Sequence, residues 1–160
     1  SDVEVRMTPS LSQDDVQIKL ADCRYKIFAS NDYIAKNGFP KTSADLDNHN
    51  IISYGEDAQP PIDRHRLNWL LTLGKENKRP RKPILEVSSI YGIAKATEVG
   101  MGIASLPDWM EFEMIALTEI LSQLKGPEMS ISLCFKSELR NDPRIKAFKD
   151  FMIKEAEVIN

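Results

Sequence analysis

The stretch Leu85–Trp109, LEVSSIYGIAKATEVGMGIASLPDW, decides the fold of this chain. An apolar strand around Leu85 is followed by a serine that caps a helix, either Ser88 or Ser89. Apolar residues then recur at helical spacing, which predicts one buried helix face: Ile90, Ile93, Ala94 and Thr97. Gly100 and Gly102 end the helix, and residues 102–107 predict a second buried strand. Such a strand–helix–strand unit predicts two parallel strands joined by a right-handed crossover.

The start of this helix has the chemistry of an anion site. The first N–H groups of a helix have no acceptor within the helix, and they point out of the carboxyl edge of the sheet. The helix dipole adds partial positive charge at the same place. The sequence therefore predicts that a small anion binds where the helix begins, after Val87.

Four blocks of the sequence carry a family resemblance: DVEVR at residues 2–6, ASNDYIAKNGFP at 29–40 with ADLDNH at 44–49, a helix followed by GMGIASLPDW at 100–109, and PRIKAFKDF at 143–151. In this order they resemble the effector-binding domain of LysR-type transcriptional regulators. The first block is similar to the aspartate-led strand of that domain, the second to its crossover segment, the third to its late part and the fourth to its closing helix.

This resemblance implies an α/β fold with two lobes, like a type II periplasmic binding protein. Alternating strands and helices independently favour α/β layers with largely parallel strands. Residues 1–29 and 127–160 would form lobe one, residues 30–126 lobe two, and ligand would bind between them. The family's domain opens with a strand–helix–strand unit that has no counterpart here, and no helix-turn-helix is present. We therefore expect a C-terminal portion of a regulator, with lobe one incomplete.

Candidate ligand residues come from both lobes. Those of lobe two match the family's strand-to-helix junction, and their hydroxyl and N–H groups suit a carboxylate: Ser88, Ser89, Ile90 and Tyr91. Those of lobe one match a ligand-facing segment of the family: Arg6, Met7 and Thr8. Arg6 can pair with a carboxylate through its planar guanidinium, or it is a surface arginine. Likewise, one of the two serines, Ser88 or Ser89, contacts a ligand or only caps the helix. Weaker candidates are Ser10 and Tyr54, while Trp69 and Trp109 are packing anchors or ligand platforms.

Composition excludes several other classes of protein. The 160 residues carry a net charge of -3, which argues against a dedicated nucleic-acid surface. Cys23 and Cys134 are expected to be buried thiols in a reducing cytoplasm, and no His or Cys cluster has metal-ligand spacing. His49 and His65 do not accompany a nucleophile elbow. We therefore expect no enzymatic activity, no cofactor and no metal.

Three further segments give expectations that a structure can check. The apolar run Leu67–Leu73 is strand-like. The basic run KENKRPRK, residues 75–82, is either a solvated loop or a phosphate-binding patch. Pro143 begins a final helix that Asn141 or Asp142 caps, and its buried stripe is expected to contain Ile145, Phe148, Phe151 and Met152.

The resemblance implies a regulatory function. A small effector, expected to be anionic, would bind between the lobes and bias a homodimer or tetramer, and DNA would be bound only by a domain outside this chain. The expected location is the cytoplasm, without membrane contact. A solute-binding protein of the periplasmic type is the alternative, and an enzyme fits least well.

Overall fold

The structure, a computed structural model, describes residues 2–6, 10–56 and 64–159. The chain forms two compact units: unit 1 is Ser1–Cys23 with Glu128–Asn160, and unit 2 is Arg24–Pro127. In chain order the strands are β1 Val3–Arg6, β2 Asp15–Ser30, β3 Ile51–Tyr54, β4 Leu85–Val87, β5 Ile103–Pro107, β6 Leu117–Ile120 and β7 Glu128–Lys136. The α-helices are α1 Asn31–Asn37, α2 Arg64–Leu67, α3 Ile90–Glu98, α4 Met110–Glu113 and α5 Pro143–Ile159. Short 3-10 helices span Ser43–Asn48, Trp69–Leu71 and Ser137–Leu139.

Unit 1 is a small sheet with one long helix. β7 is hydrogen-bonded to β1 on one side and to β2 on the other, and the pairing with β1 is antiparallel, with Val3 opposite Phe135. Leu133, Phe135 and Ile145 form its buried core. Alternation of apolar and polar residues predicts β7, because one face of the strand packs on this core.

Helix α5 begins as its sequence predicts but buries less than expected. The Asp142 carboxylate accepts the N–H of Arg144 at 2.8 Å, and its hydrogen bonds with Arg144 lower the pKa of Asp142 to about 2. Ile145 is buried, whereas Phe148 and Phe151 are 38% and 57% exposed. The predicted stripe is therefore wrong for these two phenylalanines. An amphipathic pattern identifies an apolar face but not the element that covers it.

Unit 2 contains a mixed sheet in which the strand order is β2-β5-β3-β4. β3 is parallel to both β4 and β5, and the last part of β2 is antiparallel to β5 and to β6. The predicted strand–helix–strand unit is β4, α3 and β5, with β3 lying between its two strands. A Cβ on Gly102 would lie 2.6 Å from the carbonyl oxygen of Asn50, so glycine is required where β5 begins.

The run Leu67–Leu73 is not a strand, which corrects the prediction. It contains the end of α2 and the 3-10 helix Trp69–Leu71, and Leu67 and Leu70 are both 2% exposed. Buried residues three positions apart fit a helical turn, and a short apolar run also fits a buried strand. The pattern alone therefore does not distinguish a helix from a strand here. The Asn68 side chain stabilises the observed turn, since it accepts the Tyr54 N–H at 2.9 Å and donates to the Tyr54 carbonyl at 3.0 Å.

The basic run at residues 75–82 is a loop, but two of its cations are tied to the fold. Arg81 is 9% exposed, and its Nε donates to Asp47 Oδ1 at 2.8 Å. Lys75 Nζ lies 3.0 Å from the same oxygen atom. The other three cations of the run are exposed: Lys78, Arg79 and Lys82.

Candidate functional site

The carboxyl edge of the parallel strands in unit 2 is the candidate functional site. Because β3, β4 and β5 run in the same direction, the residues that follow them meet at one edge of the sheet. Gly55 follows β3, Ser88 follows β4, and Asp108 with Trp109 follows β5. The Gly55 N–H donates to the Val87 carbonyl at 3.2 Å, which holds the first two of these segments together.

Ser88 and Ser89 have different roles at this edge. Both are exposed, but Ser89 is the N-cap of α3, and its Oγ accepts the Gly92 N–H at 3.0 Å. The capping interpretation is therefore correct for Ser89. Within residues 2–6, 10–56 and 64–159, the Ser88 hydroxyl has no hydrogen-bond partner, so it remains available to a ligand.

The first turn of α3 presents two free donors beside these serines. Ser89 uses its side chain for the Gly92 N–H and its carbonyl for the Ile93 N–H. The N–H groups of Ile90 and Tyr91 have no acceptor in the described part of the chain. Two free N–H groups at the positive end of a helix dipole are suited to a carboxylate.

Close packing of α3 on β4 fixes the position of these donors. A Cβ on Gly92 would lie 2.6 Å from Val87 Cγ1 and 3.0 Å from Ser89 Oγ. A larger residue at this position would force the Val87 side chain or the start of α3 to shift. Glycine therefore lets α3 begin directly over the end of β4.

An aromatic pair stands next to the helix start. The rings of Tyr91 and Trp109 are 6.2 Å apart and inclined at 56°, which is a favourable separation for an aromatic pair. Tyr91 is 60% exposed and Trp109 is half-buried. The pair joins α3 to the segment after β5 and gives the edge an apolar wall, a role that the sequence left open for Trp109.

Groups of both charges lie on the elements near the edge. α2, which contacts β3, carries Arg64, His65 and Arg66, and Glu86 of β4 lies beside Gly55, with its Cβ 3.5 Å from the position of a Cβ on Gly55. The Asp108 carboxylate is engaged elsewhere, because its Oδ2 accepts the Arg24 N–H at 3.2 Å. Asp108 is therefore not a free acid facing a ligand.

The second set of predicted ligand residues lies in unit 1. Arg6 ends β1 opposite Ser132, is half-buried, and has Nη1 3.7 Å from Glu4 Oε2. Met7 and Thr8 lie outside the described residues. The structure thus describes Arg6 in unit 1 and the group from Ser88 to Tyr91 in unit 2.

Arg6 lines an open hollow in unit 1 with a volume of about 370 Å³. Opposite charges pair within it, since Lys136 Nζ lies 2.7 Å from Asp15 Oδ1 and Ser10 Oγ donates to Asp15 Oδ2 at 2.5 Å. The hydrogen bond from Lys136, followed by that from Ser10, lowers the pKa of Asp15. Ser10 is therefore a structural partner of Asp15.

Cys134 lines the same hollow. Burial raises the pKa of its thiol, and this favours the unreactive, protonated form.

His49 and Tyr33 form a pair that the sequence did not indicate. The Tyr33 hydroxyl lies 2.9 Å from His49 Nδ1 and accepts the Asn50 N–H at 3.0 Å. Burial lowers the pKa of His49, and the nearby Asp45 carboxylate partly opposes this. Neutral His49 can accept the Tyr33 hydroxyl proton at Nδ1, so the pair holds the turn before β3 in place.

The geometry can be compared with known proteins. The family profile described as the LysR substrate binding domain matches residues 1–157. An HTH-type transcriptional regulator of Xanthomonas campestris pv. campestris is 23% identical over 157 residues, which cover 96% of this chain and 45% of that protein. The HTH-type transcriptional regulator CrgA of Neisseria meningitidis serogroup C is 25% identical over 141 residues, covering 85% of this chain and 45% of CrgA. This chain thus spans less than half the length of these curated relatives.

The fold is shared with a solved regulatory domain. The regulatory domain of CrgA, a LysR-type transcriptional regulator from Neisseria meningitidis, superposes with a TM-score of 0.78 at 22% identity. The match covers 97% of this chain and 75% of that domain. The expected class, α/β with the two-lobed fold of periplasmic binding proteins, is thereby confirmed. No helix among the described residues is long and apolar enough to cross a membrane.

Proposed function

The chain belongs to the LysR substrate-binding domain family, and from this premise we propose that it is the effector-sensing part of a bacterial transcriptional regulator. Its relatives are named as transcriptional regulators, which favours this function over that of a solute-binding protein and over an enzyme. DNA is then bound by a helix-turn-helix domain outside this chain. The regulator acts in the cytoplasm as a homodimer or tetramer.

The effector is a small anion, and its main binding site is the start of α3. The observation that carries this proposal is the group of free donors at the carboxyl edge of unit 2: the Ser88 hydroxyl and the N–H groups of Ile90 and Tyr91. The ring pair of Tyr91 and Trp109 contacts the apolar part of the ligand. Ser89 contributes by capping the helix that orients these donors.

We propose that the two compact units, Ser1–Cys23 with Glu128–Asn160 and Arg24–Pro127, correspond to the two lobes predicted at residues 1–29 with 127–160 and at residues 30–126. Arg6, Met7 and Thr8, which the sequence predicts as ligand residues of lobe one, are proposed as further effector contacts. An effector that contacts both lobes binds one relative arrangement of them more tightly than another. That difference in affinity shifts the oligomer and, through it, the DNA-binding domains.

The test is a thermal-shift screen of small carboxylates, including acetate, succinate and benzoate, on the full-length protein. A ligand that binds only the folded state raises Tm, and the shift grows with the logarithm of the ligand concentration once that concentration exceeds Kd. Ser88→Ala is expected to abolish the ligand-induced shift while leaving the ligand-free Tm unchanged, because this hydroxyl has no partner in the described structure. Ser122→Ala, at an exposed serine of the same unit, is the matched control.

Two substitutions of Ser89 separate capping from ligand contact. Ser89→Ala removes the cap and lowers the ligand-free stability by about 1 kcal/mol. Ser89→Asp keeps a good cap but puts a carboxylate where the anion binds, so it preserves the ligand-free Tm and abolishes the shift. The proposal fails if Ser88→Ala and Ser89→Asp both respond to the carboxylate as the unchanged protein does.

A further inference from the structure

A small cavity lies inside unit 2, beneath the end of β3. Its volume is about 10 Å³, and the residues with polar side chains that line it are Ser53, Tyr54, Asn68 and Ser105. Apolar side chains, among them Ile51 and Leu70, complete the wall. The cavity is separate from the edge formed by Ser88 and α3, since neither lines it.

Two serines stand side by side at this cavity. In the parallel pairing of β3 with β5, Ile51 is opposite Ile103 and Ile52 is opposite Ala104. Continued by one residue, that register places Ser53 beside Ser105, and neighbouring residues in register share a sheet face. Both are buried, with exposures of 3% and 5%.

The two hydroxyls differ in their partners. Ser105 Oγ accepts the Trp69 Nε1–H at 2.6 Å, which leaves its own hydrogen free to donate. Ser53 Oγ has no hydrogen-bond partner among the described residues, although it is fully removed from solvent. Native proteins almost always satisfy a buried hydroxyl, with protein or with ordered water.

Asn68 supplies a third polar group to the cavity. Its Oδ1 accepts the Tyr54 N–H, and one hydrogen of its Nδ2 goes to the Tyr54 carbonyl. The second hydrogen of Nδ2 has no partner in the described structure. The cavity therefore offers an unsatisfied hydroxyl, a free hydroxyl hydrogen and a free amide hydrogen.

We propose that this cavity binds one internal water molecule, which joins Ser53 Oγ to Ser105 Oγ. The volume matches the minimum that holds one water, and internal waters make two to four hydrogen bonds to otherwise unsatisfied groups. The water accepts from Ser105 and Asn68 and donates to Ser53. No charged side chain lines the cavity, so an ion is disfavoured, and nothing larger than water fits.

The water would be a structural part of the fold. Through Ser105 it extends a chain of hydrogen bonds that begins at Trp69, and through Ser53 it reaches the centre of β3. The 3-10 helix Trp69–Leu71 is then held to the sheet by polar bonds as well as by apolar packing.

The sign of a stability change tests the proposal. If water satisfies Ser53, then Ser53→Ala removes one of its partners and lowers Tm by about 2–6 °C. If the cavity is dry, the same substitution removes a buried unsatisfied hydroxyl, and Tm stays equal or rises. Ser122→Ala, at an exposed serine of the same unit, is the control and leaves Tm unchanged.

A crystal structure of the unchanged protein at 1.8 Å or better provides the direct measurement. We expect a solvent peak within hydrogen-bond distance of both Ser53 Oγ and Ser105 Oγ. The proposal is overturned if that peak is absent, or if Ser53→Ala has a Tm equal to or above that of the unchanged protein.

Discussion

Replacing Arg81 by methionine should destabilise unit 2 far more than an arginine in a basic surface loop would suggest. The guanidinium donates to the carbonyls of Leu70, Leu73 and Ser43 at 3.0, 2.6 and 2.8 Å, besides its bond to Asp47. It thereby ties the basic loop to both neighbouring 3-10 helices. Methionine keeps most of the apolar stem but cannot donate a hydrogen bond.

The expected magnitude follows from these four bonds. Each carbonyl that loses its donor costs about 1 kcal/mol. Loss of the ion pair adds less than about 1 kcal/mol, because Asp47 is 44% exposed and keeps Lys75 as a partner. The free energy of unfolding should therefore fall by about 3–4 kcal/mol for Arg81→Met.

Urea unfolding followed by tryptophan fluorescence measures this change in the right unit. Both tryptophans, Trp69 and Trp109, belong to unit 2. The matched control is Arg79→Met, which removes the same charge from an exposed position in the same loop and should change stability by no more than about 0.5 kcal/mol. Equal unfolding free energies for the two variants would refute the structural role of Arg81.

Two further outcomes are expected. Burial lowers the pKa of His49 below 6.5, so at lower pH the unfolded chain binds more protons than the folded chain. The stabilising contribution of His49 is therefore complete above about pH 6.5 and declines below it. His49→Gln should flatten this decline in urea titrations between pH 5 and 8. Gly102→Ala should lower the free energy of unfolding by about 1–3 kcal/mol, since the new Cβ would lie 2.6 Å from the Asn50 carbonyl oxygen. The control is Gly55→Ala, whose nearest contact is 3.5 Å and which should lower that free energy by less than half as much. Thermal or urea unfolding measures both.

Local signals were sufficient for the central part of the fold. The serine cap, the helical spacing and the two glycines predict β4, α3 and β5, and strict alternation predicts β7. These signals act over fewer than ten residues, and each is satisfied by the segment itself. The same signals identified the carboxyl edge of unit 2, because the place where a helix follows a strand is visible in the sequence.

Long-range partners explain what the sequence could not reveal. A basic run indicates a solvated loop, and nothing near Arg81 indicates that Asp47 and three distant carbonyls bury it. In the folded protein, the turn within the apolar run Leu67–Leu73 is held by the hydrogen bonds between Asn68 and Tyr54, which lie 14 residues apart in sequence. The pairing of Ser53 with Ser105 likewise depends on strand register, which single-sequence patterns do not determine.

The capping role of Ser89 limits how the proposed effector site can change. Ser89 holds the backbone of α3, so only residues that cap a helix, such as Thr, Asn or Asp, are tolerated there at low cost. Ser88 is exposed and carries no such constraint, whereas Tyr91 makes the ring contact with Trp109. A mutant library intended to redirect the proposed site to new molecules should therefore randomise position 88 freely, keep position 91 aromatic and restrict position 89 to the capping residues.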